Sequence, residues 1–572
     1  MSLDARARAV LREHPSGVRD FDPVEFEILR NALQNVTEEM ALVVRRAAYS
    51  TNIKTRADFS CAVFDADARC VATSSGNPGH LLTMCVQIPN AVRGYGRERF
   101  EPGDAILMND PHRGSSHLND ITCISPIFAG GRLIGYVANL AHHVDVGGAA
   151  PASLKNNREI YQEGTILPPT RVVRAGAVDD NVFALLLANV RAPHETRGDL
   201  RAQFSANAVG TRRVVELAGR YSSERLAIFC EQLIRYTARW TEAEIRKLPE
   251  GVYRAQGFMD DDGFSDEPVP IAVTVTIRDG AVTLDAATGS APQTRSSINC
   301  TPYMSRNAIM YVVRALINQD DLPLNVGFIE RIRTEGPLGT VCTARPPSAV
   351  AGAFETVTRL TELIWKALHP ALPDRVPASG KGLIVNLGFG GRDPRRDVFF
   401  CYMETVAGGN GARPTKDGPD AVQTNFQNTE NAPVEEVELN YPMRIACFEL
   451  IPDSCGAGRY RGGVGVRRDY EFPDADCVFT VLSDGRKFPP HGLGGGQPAR
   501  TAHFVLDPET DPKELPSKVT ITVEKGGRVS VQTPGGGGFG DPAERDAEAV
   551  RRDLRDGKIT ASYARRWHPH AL

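Results

Sequence analysis

"DITCISPIFAGGRLIGYVANLAHH", residues 120–143, sets two apolar, β-branched runs on either side of a Gly-Gly pair. Ile121–Phe128 and Leu133–Ala141 read as strands, and Gly130-Gly131 reads as the turn of a β-hairpin. A hairpin folded there brings its ends together, because opposed residues on paired strands lie about 5 Å apart. Asp120, at the start of one strand, then neighbours residues 141–143 at the end of the other. The register stays open. A two-residue loop sets Asp120 opposite Ala141, and His143 shares its face. A three-residue loop through Arg132 sets Asp120 opposite His142 instead. Pro126 argues for an edge strand or a bulge, which would also shift the pairing.

Just upstream, "NDPHRGSSHLND" (109–120) crowds polar side chains between apparent strands. A surface turn explains the Asn, Asp and Gly residues. It does not explain the histidines. His117 lies three residues before Asp120 and folds over the same spot, whereas His112 needs no special role. Two imidazoles and a carboxylate form a three-ligand set for a divalent metal with open positions. Such a metal polarises a carbonyl or lowers the pKa of a bound water. The plainer reading is a set of turn and strand-end residues with hydrogen-bonded imidazoles. Asp145, ahead of Gly147-Gly148, is a candidate to orient one histidine, or a simple turn residue. Glu163, in "YQEG", is a candidate general base or further ligand, or a loop residue. Asp58 and His80 are candidates for the same cleft, but the sequence does not place them.

Outward from the hairpin, "FSCAVFDADARCVATS" reads as two strands around the Asp65–Ala68 turn, and "DAILMND" as another. Asp22-Pro23 opens a helix to about Tyr49, with Asp22 as N-cap and Pro23 in the first turn. Its apolar stripe is Val24, Ile28, Leu29, Leu33, Val36, Met40 and Val43. Residues 179–250 turn helical. "IAVTVTIRDGAVTLDAA" then gives a hairpin at Asp279-Gly280. Helices near 304–317 and 354–368 and a charged helix over 543–555 follow. The expected class is α+β, with large mixed or antiparallel sheets, flanking helices and two soft domains. The expected division is a lead-in tail (1–20), an N-terminal α/β domain carrying the site (21–250), a β-rich C-terminal domain (251–545) and a C-terminal helix and tail (546–572).

The 572 residues carry a formal net charge of −4, with 41% hydrophobic and 24% charged residues. That balance gives no argument for a nucleic-acid or anionic-membrane partner. No apolar run is long enough to span a bilayer. The N-terminus has no apolar signal core. Eleven scattered cysteines without a CxxC pair fit reduced thiols. The expected location is the cytoplasm. Gly535–Gly538 before a helix has the makings of an anion-binding nest, but lacks the Lys and Ser/Thr of a P-loop and reads as a tight structural turn. Asp484–Lys487 and His491 read as a structural or subunit-interface loop.

Beyond these local readings, "NDPHRGSSHLND", "AHHVDVGGAAPAS", "IYQEGTILPP" and "GDLRAQFSAN" resemble the hydantoinase B/oxoprolinase family. So do "FSCAVFDADARCVA", "NCTPYMSRNAIMYVVRALI", "ETVAGGNGARP", "YPMRIACFELIPDSCGAGRYRGGVGVRRDYEF" and "TPGGGGFGDPAERD", in order along the chain. The resemblance implies a B-type subunit working with a hydantoinase A-type partner that consumes ATP to phosphorylate the substrate. It implies hydrolysis of a cyclic amide: a hydantoin, 5-oxoproline or another lactam. By similarity to the acetone carboxylase subunit it also implies a manganese site of His-x-x-Asp plus a downstream His, carried here by His117, Asp120 and His142. His143 is the fallback, and the cation is manganese or zinc. The catalytic candidates are thus His117, Asp120, His142, His143 and Glu163, in a heterotetramer or larger assembly. Alternatives are a subunit of an ATP-dependent ketone carboxylase and a non-catalytic scaffold for the A subunit. "VAGAFET" (350–356), "GGNGARP" (408–414) and "TNFQNTENAP" (424–433) depart from the family pattern and are expected near the substrate.

Overall fold

A computed structural model describes residues 22–572 apart from 77, 318, 319 and 426. The lead-in expected over 1–20 lies outside the described residues. The first helix, α1, runs Pro23–Ala47, and the Asp22 side chain accepts from the Val24 N–H at 3.3 Å. Its buried face is Phe26, Leu29, Leu33, Val36, Met40 and Val44, while Val24 and Ile28 are exposed. The expected stripe was therefore partly out of phase. Phe26 wins the inner face because a buried aromatic removes more apolar area from water than Val24 would.

A seven-stranded antiparallel sheet holds β1 (Phe59–Asp65), β2 (Cys70–Thr73), β3 (Ala105–Met108), β4 (Asp120–Ala129), β5 (Arg132–His142), β6 (Thr170–Arg174) and β7 (Ala177–Val178). Their order is β2-β1-β5-β4-β3-β6-β7, so the quoted hairpin sits at the centre. One face packs on α1 and on the later helices α4 (Pro193–Tyr221) and α5 (Ser223–Ile245), through Val63, Val137 and Ala141. The other packs on α2 (Pro78–Tyr95) through Ala62, Ala138 and Leu140. Between β7 and α4 lies α3, Asp180–Ala188.

The hairpin turn has two residues, Gly130 and Gly131, with φ of 55° and 77°. Only glycine adopts two such values in succession without strain. Ala129 pairs with Arg132 and Phe128 with Leu133, but Ile127 pairs with Gly135. Ile134 is thus an extra residue, a bulge. Beyond it the pairing is displaced by one, and Asp120 faces His142. The three-residue loop is not what produces this register; a two-residue loop plus a bulge does. The edge-strand reading of Pro126 is also corrected, because β4 is the middle strand. Pro126 pairs with Tyr136 and lies beyond the last β3 partner, Ile106 with Ile124.

The second half builds three more sheets. One holds β8 (Gly251–Met259), β9 (Val269–Arg278), β10 (Ala281–Asp285) and β11 (Ile332–Glu335), the last pair parallel. Asp279 and Gly280 make the expected hairpin turn, with φ of 51° and 69°. Helices α6 (Pro302–Ile317) and α7 (Ala353–Leu368) pack in the same apolar cluster as these strands and α2. A four-stranded sheet follows the order Val398–Thr405, Asn386–Asp393, Cys477–Leu482, Lys518–Val523. A five-stranded one follows Arg444–Leu450, Val466–Glu471, Arg528–Gln532, His503–Leu506, Lys513–Glu514. The class is α+β, as expected. The C-terminal helix is shorter than expected, α8 (Ala547–Arg555), and a further helix, α9 (Ala561–Trp567), follows it.

Gly535–Gly538 is a packing device. A Cβ at Gly536 would lie 1.9 Å from the Asn410 carbonyl oxygen. The N–H groups of Gly536, Gly537 and Gly538 donate to the carbonyls of Gly463, Ser379 and Gln497 at 2.8–2.9 Å, which leaves no nest for an anion. Asp484 is structural too: its carboxylate accepts from the Asp260 N–H and from Arg359. All eleven cysteines are free thiols. Among the described residues, no helix is long and apolar enough to cross a membrane.

Candidate metal centre

The bulge brings three of the sequence candidates to one place. His117, Asp120 and His142 offer ligand atoms that all lie within 4.8 Å of one another, and all three residues are buried. Asp120 Oδ2 is 3.0 Å from His117 Nδ1, and Asp120 Oδ1 is 3.4 Å from His142 Nδ1. The Ser116 hydroxyl also donates to Asp120 Oδ2. The two imidazole rings meet edge to face at 4.8 Å, and Phe354, from the first turn of α7, covers His117 at 5.1 Å.

The electrostatics set the protonation states. Burial pushes the Asp120 carboxyl up, but the charges of His117 and His80 outweigh it and hold the group well below its usual range. Burial pushes His117 down, and Asp120 overcompensates, so this imidazole is raised. Burial wins at His142, which is lowered and stays neutral. An ionised carboxylate beside a neutral imidazole is the state a cation needs. His142 Nε2 is buried without a hydrogen-bond partner. Orphaned buried polar atoms are costly. Together with the all-nitrogen-and-oxygen donor set, this orphaned nitrogen fits a divalent cation.

His143 goes elsewhere. Successive residues on a strand point to opposite faces, and His143 Nε2 meets Gln203 Oε1 on α4 at 3.0 Å. Burial lowers this imidazole, with the Asp199 charge opposing. Glu163 is buried and anchors a loop. It accepts from Ser297 Oγ and from the Val350 and Ala351 N–H groups at 2.8–2.9 Å. It thereby fixes the approach to α7 and, through Phe354, the cover of His117. Burial raises its carboxyl to about 7. Asp145 does not orient a histidine: it binds Arg191 at 3.0 Å and caps the Gly147 turn at 3.0 Å. His112 contacts the Ser348 carbonyl at 3.1 Å, away from the cluster.

Two residues that the sequence could not place join the cluster. Phe59 on β1 pairs with Ala141, so Asp58 arrives beside His142. His80, on α2, reaches in from the same face of the sheet. Only the three-strand pairing and the helix packing reveal them. The signal in sequence was the strand start at "DFS", which gives no partner strand.

Comparison with known proteins places the chain in a family. The profile of the Hydantoinase B/oxoprolinase family matches residues 22–542. The chain is 35% identical to an uncharacterised protein of Methanocaldococcus jannaschii, over 95% of both chains. It is 30% identical to caprolactamase subunit beta of Pseudomonas jessenii, again over 95% of both. The crystal structure of ATP-dependent caprolactamase from that organism superposes with a TM-score of 0.87 at 28% identity, covering 95% of this chain and 96% of that one. Acetone carboxylase, in a nucleotide-free structure, shares the fold with a TM-score of 0.88 at 20% identity, covering 96% of this chain and 79% of that one. On sequence and fold together, the chain belongs to the Hydantoinase B/oxoprolinase family.

Proposed function

We propose that this chain is the B-type subunit of an ATP-dependent hydrolase of cyclic amides. Its substrate class is a hydantoin, 5-oxoproline or another lactam. A hydantoinase A-type partner uses ATP to phosphorylate the substrate, in a heterotetramer or larger assembly. Eleven free thiols and the need for ATP fit a cytoplasmic location. The observation that carries the reading is the buried cluster of His117, Asp120 and His142, in a family whose relatives include a caprolactamase subunit.

A divalent cation, manganese or zinc, held by His117, Asp120 and His142 would polarise the carbonyl and lower the pKa of water. Asp120 stays ionised and His142 neutral, so both present lone pairs at neutral pH. Phe354 and the surrounding burial keep bulk water out. Hydrolysis opens the ring C–N bond with two waters: the first gives its oxygen to the carbon and a proton to the departing nitrogen, leaving an acyl phosphate, and the second splits that acyl phosphate into carboxylate and phosphate. Without a cation, the same histidines and Asp120 would hold the water and take its proton.

Substituting His142→Ala in the chain assembled with its partner should lower ATP-coupled ring opening by at least about 10³-fold while assembly persists. Unchanged turnover would sink the role. The competing reading, a ketone carboxylase, predicts bicarbonate dependence and a new carboxylate in the product. Full activity after simultaneous substitution of His117, Asp120 and His142 would leave only a scaffold.

A further inference from the structure

A cleft lies between the C-terminal helix α9 and two loops of the C-terminal half, residues 453–457 and 497–500. It encloses about 400 Å³, within the range of small-molecule sites. None of the residues lining it belongs to the metal centre.

The walls are fastened to one another. The N–H groups of Gln497 and Arg500 donate to the Ala457 and Ser454 carbonyls at 2.7 and 2.9 Å, which joins the two loops. Tyr563 Oη donates to the Cys455 carbonyl at 2.9 Å. The two carboxylate oxygens of Asp453 accept from the Thr560 N–H and hydroxyl at 2.7 Å each. Ala564 of α9 is buried in one apolar cluster with Cys455 and Val550. A cleft whose walls are already held costs a ligand little ordering.

The charges in these walls do not balance. Arg500 and Arg566 both line the cleft, and Asp453 is the one carboxylate among the described residues that line it. Neither guanidinium forms an ion pair with any described residue, and both side chains are exposed. Two other arginines of this region differ. Arg461 and Arg545 are buried and paired with Asp420, Asp553 and Asp417 at 2.6–3.0 Å, so they hold the C-terminal helices in place. Arg566 instead lies over the Trp567 ring, 4.7 Å from its centroid, which restricts where its guanidinium points. A guanidinium presents paired N–H donors that match a carboxylate or a phosphate. Tyr563 and Trp567 add aromatic surface to the same cleft.

We propose that this cleft binds a small organic anion, a carboxylate or phosphate group on an apolar body. The oxyanion pairs with Arg500 and Arg566, and the body packs on Tyr563 and Trp567. The site goes beyond the hydrolytic reading and does not depend on it.

The test titrates the full-length chain with benzoate, phenyl phosphate and neutral benzamide by calorimetry. At least one of the two anions should bind saturably, about tenfold or more tighter than benzamide. The tighter anion tells a carboxylate site from a phosphate site. Arg500→Gln and Arg566→Gln should each weaken that anion by about tenfold or more, with an unchanged thermal midpoint because both side chains are exposed. Stripping the chain of metal should leave the affinity unchanged, which separates this cleft from anion binding at the triad. The proposal is overturned if neither anion binds saturably, if benzamide binds as tightly, if metal removal abolishes binding, or if the double variant keeps wild-type affinity. The comparison of anions with benzamide needs no variant to fold.

Discussion

His142 ends β5 and His143 directly follows it in extended backbone, so the alternation sends one imidazole to Asp120 and the other to Gln203. A residue-scale prediction comes from Glu163. Burial raises its carboxyl from 4.5 to about 7, so the fold favours the protonated form. Its contribution is full below the unfolded value and is lost as pH rises towards 7. A gap of that size corresponds to about 3 kcal/mol. Glu163→Gln cannot charge, and its amide oxygen can still accept the two backbone N–H groups. The variant should therefore lose less stability than wild type between pH 4.5 and 7, as read by chemical denaturation at a series of pH values. Parallel curves for the two proteins would refute the burial argument. Neither the raised carboxyl nor its loop-anchoring role was legible in "YQEG", because both depend on residues 297, 350 and 351.

At the scale of elements, the hairpin was legible and its register was not. Strand runs, turn glycines and helix caps are local features, and most of them formed where the pattern put them. The bulge at Ile134 has no signal of its own: "RLIGYVA" reads as an unbroken strand. It lies just past the end of the regular β1 ladder, which runs from Phe59 with Ala141 to Asp65 with Gly135. Since the bulge and not the turn aligns Asp120 with His142, Gly130→Ala and Gly131→Ala should damage only local backbone conformation. Each should cost about 1 kcal/mol from its positive φ, while Mn(II) affinity stays at the wild-type value. A marked loss of Mn(II) binding would show that the turn, after all, sets the site.

At the scale of the whole molecule, Arg56 ties the site to the C-terminal half. Its guanidinium is fully buried and donates to Met403 O at 2.9 Å, Thr405 Oγ1 at 2.8 Å and Glu430 O at 3.2 Å. Asp58 follows two residues later. Arg56→Ala strips several charge-assisted hydrogen bonds and leaves their acceptors buried, a loss of about 3 kcal/mol or more. Denaturant melts should show it, and Mn(II) affinity should fall with it as the 56–58 segment loosens. Wild-type affinity in a destabilised but folded variant would separate the two halves. Read alone, the sequence determined the element types, the α+β class, the family resemblance and the convergence of His117 and Asp120 on a distant histidine, because these rest on local periodicity, turn chemistry and ordered motifs. The tertiary structure decided which histidine, the register, and the arrival of Asp58 and His80, because a bulge, a third strand and a packed helix are fixed by contacts between segments far apart in the chain.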